Sequence, residues 1–478
     1  MKIVMVASEA LPFVKTGGLA DVSFSLSREL ALLGEDVSVI IPYFDKIKSS
    51  FPQLETKQVG SLAIQVGWRR PIANVYLTEY LGIKYYLVEN QQYFERGGLY
   101  GYGDDGERFA FFTLAAKTIM IKLKMNPDIV HVHDWHAGML ACTIKEDTTC
   151  NKYFTKTKFV FSIHNPAFQG LMGRDILEGC YNLSSQLFDN GKVRLKDMVS
   201  TLKAGIVYAD KVTTVSPTHH NELLTPEGSM GLDGVLRLRE WDFCGFLNGI
   251  DYDEFNPVKD KFIFTNYSAV NFLRQKELNK RALFSNLGIH EYGKPLFSMV
   301  SRLTWQKGID ILLPVIDGLL ARGCNVIVLG SGEYKYEQAL EQLRARYPKN
   351  MAIYIGYSEP LAHQIYASSD FFLMPSLFEP CGLGQMIAQR YGTLPIVRET
   401  GGLADSVIGY NKMNAESSNG FSFKDFNVDG LSYATYLAYD SWFDIKLRKK
   451  LMKNAIQTDN SWKKSANLYL GLYKSLVR

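Results

Sequence analysis

Six residues, Thr-Gly-Gly-Leu-Ala-Asp, occur twice in this chain, at Thr16–Asp21 and again at Thr400–Asp405. Each copy follows a short apolar run, Ile3–Ala7 in the first case and Leu394–Val397 in the second, and each opens a helical pattern. Strand, glycine turn and helix start are therefore implied in that order. Adjacent glycines let the backbone come close to a ligand, and the free N–H groups of a helix start favour an anion. Lys15 adds a positive charge beside the first copy. Two copies near opposite ends predict two similar α/β halves, each presenting a glycine-rich helix start to one shared ligand.

The rest of the chain fits that frame. With 478 residues it exceeds one ordinary core, so two domains are expected. Short β-branched runs alternate with longer helical patterns, the mark of parallel sheets covered by helices. In the first half, strands are expected at 3–7, 37–41, 83–88, 128–132, 158–163 and 211–215, with 62–66 and 74–78 forming a hairpin. Helices are expected over 18–33, 107–124, 137–145 and 198–208. The second half repeats the scheme, with strands at 296–300, 325–329, 351–355, 370–374 and 394–397. The Asn-Gly turn signal in Leu247-Asn248-Gly249-Ile250-Asp251 places the boundary there. The predicted organisation is 1–246, 247–458 and a terminal amphipathic helix over 459–478, with Leu468, Leu472 and Leu476 spaced four apart.

Composition narrows the function. A net charge of +4 with no basic tract argues against a nucleic-acid partner. No apolar run reaches membrane-spanning length, and Glu9 interrupts the short apolar start that a signal peptide would need. Six cysteines without a CxxC pair or metal-ligand spacing point to reduced thiols, hence to a cytoplasmic enzyme.

In open parallel sheets, ligands lie beyond the carboxyl ends of the strands. The polar residues of interest fall there repeatedly: Lys15, His133-Asp134-Trp135-His136 and His164-Asn165 in the first half, Arg302, Lys307 and Glu379 in the second. Arg302 and Lys307, five apart in one loop, suit a diphosphate, a planar fork beside a point charge. Glu379, before Pro380-Cys381-Gly382-Leu383-Gly384, suits a sugar hydroxyl or positive charge at an anomeric carbon. Cys381 lacks the local signature of a nucleophile. His131, His133, His136 and Asp134 resemble a ligand set, yet nothing elsewhere completes one, so substrate contact is preferred and Trp135 offers a stacking surface. Asp251-Tyr252-Asp253 has the form of a metal-binding Asp-x-Asp but lies on the interdomain turn, where turn stabilisation is expected. The dinucleotide glycine fingerprint is absent.

Taken in order, Lys15–Val22, His133–His136, Ser162–Asn165, Leu247–Asp251, Ser301–Gly308, Glu379–Leu383 and Thr400–Asp405 resemble the family of bacterial glycogen synthases and plant starch synthases. The resemblance covers essentially the whole chain. It implies two Rossmann-like domains facing across a deep cleft (the GT-B fold), with the C-terminal helix crossing back to the first domain. It also implies retaining transfer of glucose from ADP-glucose to the non-reducing end of an α-1,4-glucan, with no cofactor and no metal. By position, Lys15 and Gly18 would meet the nucleotide sugar, Arg302 and Lys307 its phosphates, and Asn248 the phosphate–sugar region. Tyr357 would stack on adenine, Leu383 and Gly384 would offer N–H groups to the distal phosphate, and Gly402 and Leu403 would lie near glucose and phosphate. His164 and Glu379 would hold the donor glucose. Glu9, Tyr93, Asp134, Trp135 and His136 would form the acceptor side. Gly384 stands where many relatives carry Thr, and Ile387 where wider relatives carry a second Glu, so no paired carboxylate is available. A UDP-glucose-dependent transferase and a non-catalytic glucan-binding protein are the alternatives.

Overall fold

The computed structural model describes residues 1–290 and 293–477. The chain divides into two compact units, one comprising Met1–Phe246 with Ser465–Arg478, the other Leu247–Lys464. Each is built on a parallel sheet.

Unit 1 contains β1 (Lys2–Val6), β2 (Asp36–Pro42), β3 (Lys57–Ala63), β4 (Ile72–Tyr80), β5 (Ile83–Glu89), β6 (Ile129–His133), β7 (Lys158–Ile163), β8 (Leu171–Met172), β9 (Arg194–Leu195), β10 (Met198–Ser200), β11 (Lys211–Thr214) and β12 (Phe243–Gly245). Nine of them form one sheet in the order β12-β11-β7-β6-β1-β2-β5-β4-β3, and β8-β10-β9 form a small antiparallel sheet. The central strands are near-continuous apolar runs because helices cover both faces. Ile3, Val4, Met5 and Val6 are all buried. Antiparallel β3 and β4 finish one edge.

Unit 2 contains β13 (Leu296–Val300), β14 (Asn325–Gly330), β15 (Met351–Ile355), β16 (Phe371–Met374), β17 (Leu394–Arg398) and β18 (Phe421–Phe423), all parallel, in the order β15-β14-β13-β16-β17-β18. Among the parallel strands, the order reverses at β1/β6 in unit 1 and at β13/β16 in unit 2. The loops leaving these strands separate there and open a crevice. Register aligns the strand ends: Val6 pairs with Val132 and His133 with Ser162 in unit 1, Val300 with Leu329 and Met374 with Val397 in unit 2.

Several expected elements change. The helix expected over 137–145 is two short pieces, Asp134–Ala137 and Leu140–Lys145. At Gly138 between them, an added Cβ would lie 2.2 Å from the Thr201 carbonyl oxygen. The helix expected from 198 begins at Thr201, where the Ser200 hydroxyl accepts the Lys203 N–H at 3.1 Å, and 198–200 form β10 instead. The hairpin pairs 57–63 with 72–80 rather than 62–66 with 74–78. Short β12 and β18 were not foreseen. The terminal helix, Trp462–Val477, buries Ala466, Tyr469, Leu470 and Tyr473, while Leu468 is 47% exposed. The leucine spacing therefore marked the wrong face. Aromatic rings lead the packing there: Tyr469 lies against Phe246 at 4.9 Å and against His131 at 5.6 Å. No described helix is long and apolar enough to cross a membrane.

The repeated hexapeptide folds differently at its two sites. Gly17 and Gly18 are exposed, with nothing within 4 Å of an added Cβ, and the helix Gly18–Leu32 starts from Gly17 without a side-chain cap. In the second copy, the helix Gly401–Ser406 is buried at its start. A Cβ on Gly402 would come within 2.2 Å of the Cys381 carbonyl oxygen. Gly18→Ala should therefore leave the urea midpoint unchanged or slightly raised, whereas Gly402→Ala should lower stability by about 1–3 kcal/mol through overpacking. Equal midpoints for the two variants would show that the close approach at Gly402 is readily relieved.

Candidate active site

At the carboxyl edge of unit 1, the loop after β1 is pinned by Glu9, which is 3% exposed. Its carboxylate accepts the Thr16 N–H, the Thr16 hydroxyl at 2.6 Å and the Tyr100 hydroxyl at 2.6 Å. These bonds fix the turn that precedes Gly17 and Gly18. The Lys15 ammonium sits 2.7 Å from Asp21 in the first turn of the helix, and its side chain remains 47% exposed. Glu9 is thus a positioning group for the glycine turn, a role that residue order alone does not reveal.

After β6, Asp134 adopts a left-handed backbone (φ 55°) and turns its carboxylate to the His164 N–H, at 2.8 Å. Burial pushes its pKa up to about 7, tempered by the N–H groups of His164 and Asn165. The Trp135 ring lies tilted against His136 at 4.2 Å, and the Tyr100 ring lies 4.7 Å from His136 in the same side-chain cluster. His164 Nε2 meets His133 Nδ1 at 3.0 Å. His131 lies between the Ser162 hydroxyl and the Tyr473 hydroxyl, 2.7 Å from each. The terminal helix thus reaches the histidine column through Tyr473. His133 Nε2 and His136 Nδ1 are buried without a hydrogen-bond partner. Such atoms are costly unless a ligand or water satisfies them.

Tyr93 stands apart from this group. It is 1% exposed and its hydroxyl donates to Glu107, so its ring has no face open to an acceptor. The half-buried Tyr100 is the tyrosine that touches Glu9 and His136. Gly98, Gly101 and Gly103 around it mark a loop, the one sequence signal that could have singled it out.

In unit 2, the loop after β13 is clamped to the loop after β16. Gln306 donates to the Phe378 carbonyl at 3.2 Å, the Leu377 N–H donates to the Gln306 carbonyl at 2.8 Å, and Trp305 meets Phe378 edge-on at 5.9 Å. Gly308 has φ 73°, and a Cβ there would lie 2.1 Å from the Pro375 carbonyl oxygen. The clamp brings Lys307 to Glu379 at 2.5 Å, each 12% exposed, while the Ser376 hydroxyl donates to the same carboxylate oxygen at 3.1 Å. Arg302 is exposed, and its guanidinium has no hydrogen-bond or ion-pair partner among the described residues. The two cations expected to act alike are therefore held differently, one neutralised by Glu379 and one open.

The helix Gly384–Arg390 begins after Leu383 without a side-chain cap, and both residues are half-buried. A Cβ on Gly384 would lie 3.0 Å from the Phe372 ring, which limits side chains at that position. Tyr357 is 76% exposed and follows Gly356 (φ 136°). Asn248 is buried beside Cys381, its Oδ1 without a partner. Burial pushes the Cys381 thiol up to about 12, which keeps it protonated and unreactive. Gly402 and Leu403 depart from expectation. The Gly402 N–H is shared by the Glu379 and Pro380 carbonyls, the Leu403 N–H donates to Thr400, and both residues are buried. Their backbone packs the second glycine turn against the Glu379 loop rather than offering donors to a ligand. Asp251-Tyr252-Asp253 forms a turn in which the Asp253 N–H donates to the Asp251 carboxylate at 2.7 Å.

The histidine column makes stability depend on pH. Burial pushes His131, His136 and His164 down to about 3 and His133 well below its ordinary range. Unfolded imidazoles bind protons below about pH 6.5. Unfolding therefore takes up protons between about pH 6.5 and 3, and the histidines' contribution is lost as pH falls through that window. Asp134 has the opposite sign: folded it keeps its proton to about 7, unfolded only to about 3.9, so its contribution is lost as pH rises between the two. The four imidazoles outweigh the one carboxyl. The urea midpoint should fall from pH 7.5 to pH 5, and Asp134→Asn should steepen that fall; a flat profile in both proteins would contradict the burial of these rings.

Comparison with known proteins places the chain in a family. A family model of the starch synthase catalytic domain matches residues 2–238, and one of glycosyl transferases group 1 matches residues 284–458. The chain is 46% identical to a glycogen synthase of Clostridium kluyveri over 479 aligned residues, covering 100% of both, and 43% identical to one of Geobacillus stearothermophilus, covering 100% of this chain and 98% of that protein. Among solved structures, the catalytic domain of starch synthase IV from Arabidopsis thaliana, bound to ADP and acarbose, superposes with a TM-score of 0.91 at 32% identity over 99% of each chain. A sucrose-phosphate synthase from Thermosynechococcus elongatus, at 15% identity and a TM-score of 0.60 over 99% of this chain and 98% of that one, shares the fold. The chain has the two-domain GT-B α/β fold and belongs to the glycogen synthase and starch synthase family of glycosyltransferases.

Proposed function

We propose that the chain transfers glucose from ADP-glucose to the non-reducing end of an α-1,4-glucan, with retention of configuration and release of ADP. The observation that carries this reading is the unpartnered Arg302 beside the Lys307–Glu379 pair, on loops flanking the strand reversal of unit 2. Its relatives are named glycogen synthases, and a starch synthase of similar structure was solved with ADP and acarbose.

Breaking the anomeric C–O bond leaves negative charge on the diphosphate and positive charge on the sugar. Arg302 binds the diphosphate bidentately, and Lys307 shares its charge between phosphate and Glu379, so the loop supplies what a metal ion supplies elsewhere. The uncapped helix start at Leu383-Gly384 adds N–H donors. Tyr357 stacks on the adenine, and Lys15 with Gly18 meets the nucleotide sugar. Glu379 and His164 hold the glucose. The buried Asn248 Oδ1 accepts from a sugar hydroxyl, and the unpartnered ring nitrogens of His133 and His136 find sugar hydroxyls, which both donate and accept. Asp134, Trp135 and His136 serve the acceptor, Trp135 as a stacking face, while Glu9 acts behind them by holding the glycine turn. With no paired carboxylate, the acceptor hydroxyl attacks from the side of the leaving group, and the departing phosphate oxygen takes its proton. A cytoplasmic setting suits six cysteines that are all free thiols.

Arg302→Ala should lower kcat about 10²–10³-fold while leaving the melting temperature unchanged, because the side chain is exposed and its guanidinium makes no hydrogen bond or ion pair among the described residues. Lys307→Ala should cost as much and also leave the buried Glu379 carboxylate without its counter-charge. Wild-type turnover in both variants would remove the phosphate role. Product analysis with a maltooligosaccharide acceptor, comparing ADP-glucose with UDP-glucose with and without EDTA, should show α-1,4 extension from ADP-glucose that persists in the chelator. Preference for UDP-glucose, or no transfer, would reject the reading.

A further inference from the structure

Within unit 2, away from the Arg302 loop, the helix Glu359–Ser368 carries Glu359 and His363 four residues apart, hence on one face. Glu254 meets them from the segment that opens the unit. One ligand atom from each of Glu254, Glu359 and His363 lies within 4.8 Å of the other two. The carboxylates are at the surface, but His363 is only 2% exposed.

The imidazole is held as a metal ligand must be held. Its Nδ1 lies 2.8 Å from Asp260 Oδ2, and that same oxygen accepts the Tyr391 hydroxyl at 2.5 Å. A carboxylate on one ring nitrogen fixes the proton there and leaves the other nitrogen with its lone pair. That other nitrogen, Nε2, is buried with no hydrogen-bond partner. Phe255 stacks on the ring at 5.0 Å with a 20° tilt, and Phe262 abuts it edge-on at 5.1 Å, so rotation away is blocked. An orphaned, rigidly aimed nitrogen beside two carboxylates has no account in the fold itself.

We propose that Glu254, Glu359 and His363 bind a divalent transition-metal ion of the zinc class, with Asp260 orienting His363 and water completing the coordination. One imidazole nitrogen and two carboxylates make a three-residue set that suits zinc, whereas magnesium and calcium favour all-oxygen shells. The ion ties Glu254 to the first turn of the helix that begins two residues after Tyr357. Its role is to stabilise unit 2, and it stands outside the transfer chemistry.

The test uses the untagged full-length protein, stripped with EDTA, dialysed and titrated with zinc chloride alone. The wild type should bind one more equivalent of zinc than the Glu254→Gln/Glu359→Gln double variant, by calorimetry and elemental analysis. Zinc should raise the wild-type Tm by about 4 °C or more and the double variant's by far less. Both replaced side chains are exposed, so the variant should fold, and its glucosyl transfer at 25 °C should match the wild type. Cobalt should give visible ligand-field bands in the wild type alone. Equal zinc stoichiometry and equal Tm shifts in the two proteins would overturn the site, as would a shift that magnesium reproduces. Because zinc binding and Tm are read without substrate, failure here is distinguishable from failure of the transfer reaction.

Discussion

A parallel sheet that reverses its strand order must send two adjacent loops to opposite faces, and the edge between them cannot be closed by hydrogen bonds of the sheet. In this chain, that constraint falls at β1/β6 and β13/β16. Lys15 and Asp134 leave the strands on either side of the first reversal, Arg302 and Glu379 those on either side of the second. The chemistry-bearing residues gather there because apolar strand interiors leave their ends as the places where polar side chains find donors, acceptors and water.

Holding polar groups at such an edge requires a dense set of partners behind them. In unit 1 the partners are unusual, a column of imidazoles reaching from His164 through His133 to His131 and on to Tyr473 of the terminal helix. Burial keeps these rings neutral, so they act as hydrogen-bond donors and acceptors rather than as charges. In unit 2 the support is ionic. Lys307 and Glu379 are drawn together by a clamp of one main-chain bond and one bond from the Gln306 side chain between loops 301–308 and 375–379. A pair this sheltered gains little net energy over apolar packing, and its value lies in fixing geometry. Under the proposed phosphate role, an anion drawn to Lys307 would loosen its hold on Glu379 and so couple the two side chains.

Much of the fold was legible. Strands 158–163, 296–300 and 351–355 have the expected limits, since a parallel strand packed under helices is a mostly apolar run bounded by polar or glycine residues. Errors cluster where propensity is overruled by packing. The break at Gly138 answers to the Thr201 carbonyl, and the short edge strands take their pairing from neighbours remote in sequence. The terminal helix buried the face rich in Tyr and Ala because His131 and Phe246 were waiting for rings, and periodicity could not know that.

The sequence by itself determined the two α/β units, the family and the roster of polar residues at strand ends, because those depend on local pattern and on motifs read in order. The tertiary structure decided which of two identical hexapeptides remains open and which is packed shut, since that depends on whether Cys381 and Glu379 press against the turn. It also decided that Tyr100 rather than Tyr93 meets Glu9, that Arg302 stays open while Lys307 is paired, and that Glu254 reaches His363 across a hundred residues of chain. Each of these is a contact between segments distant in sequence, and residue order carries no distance in space.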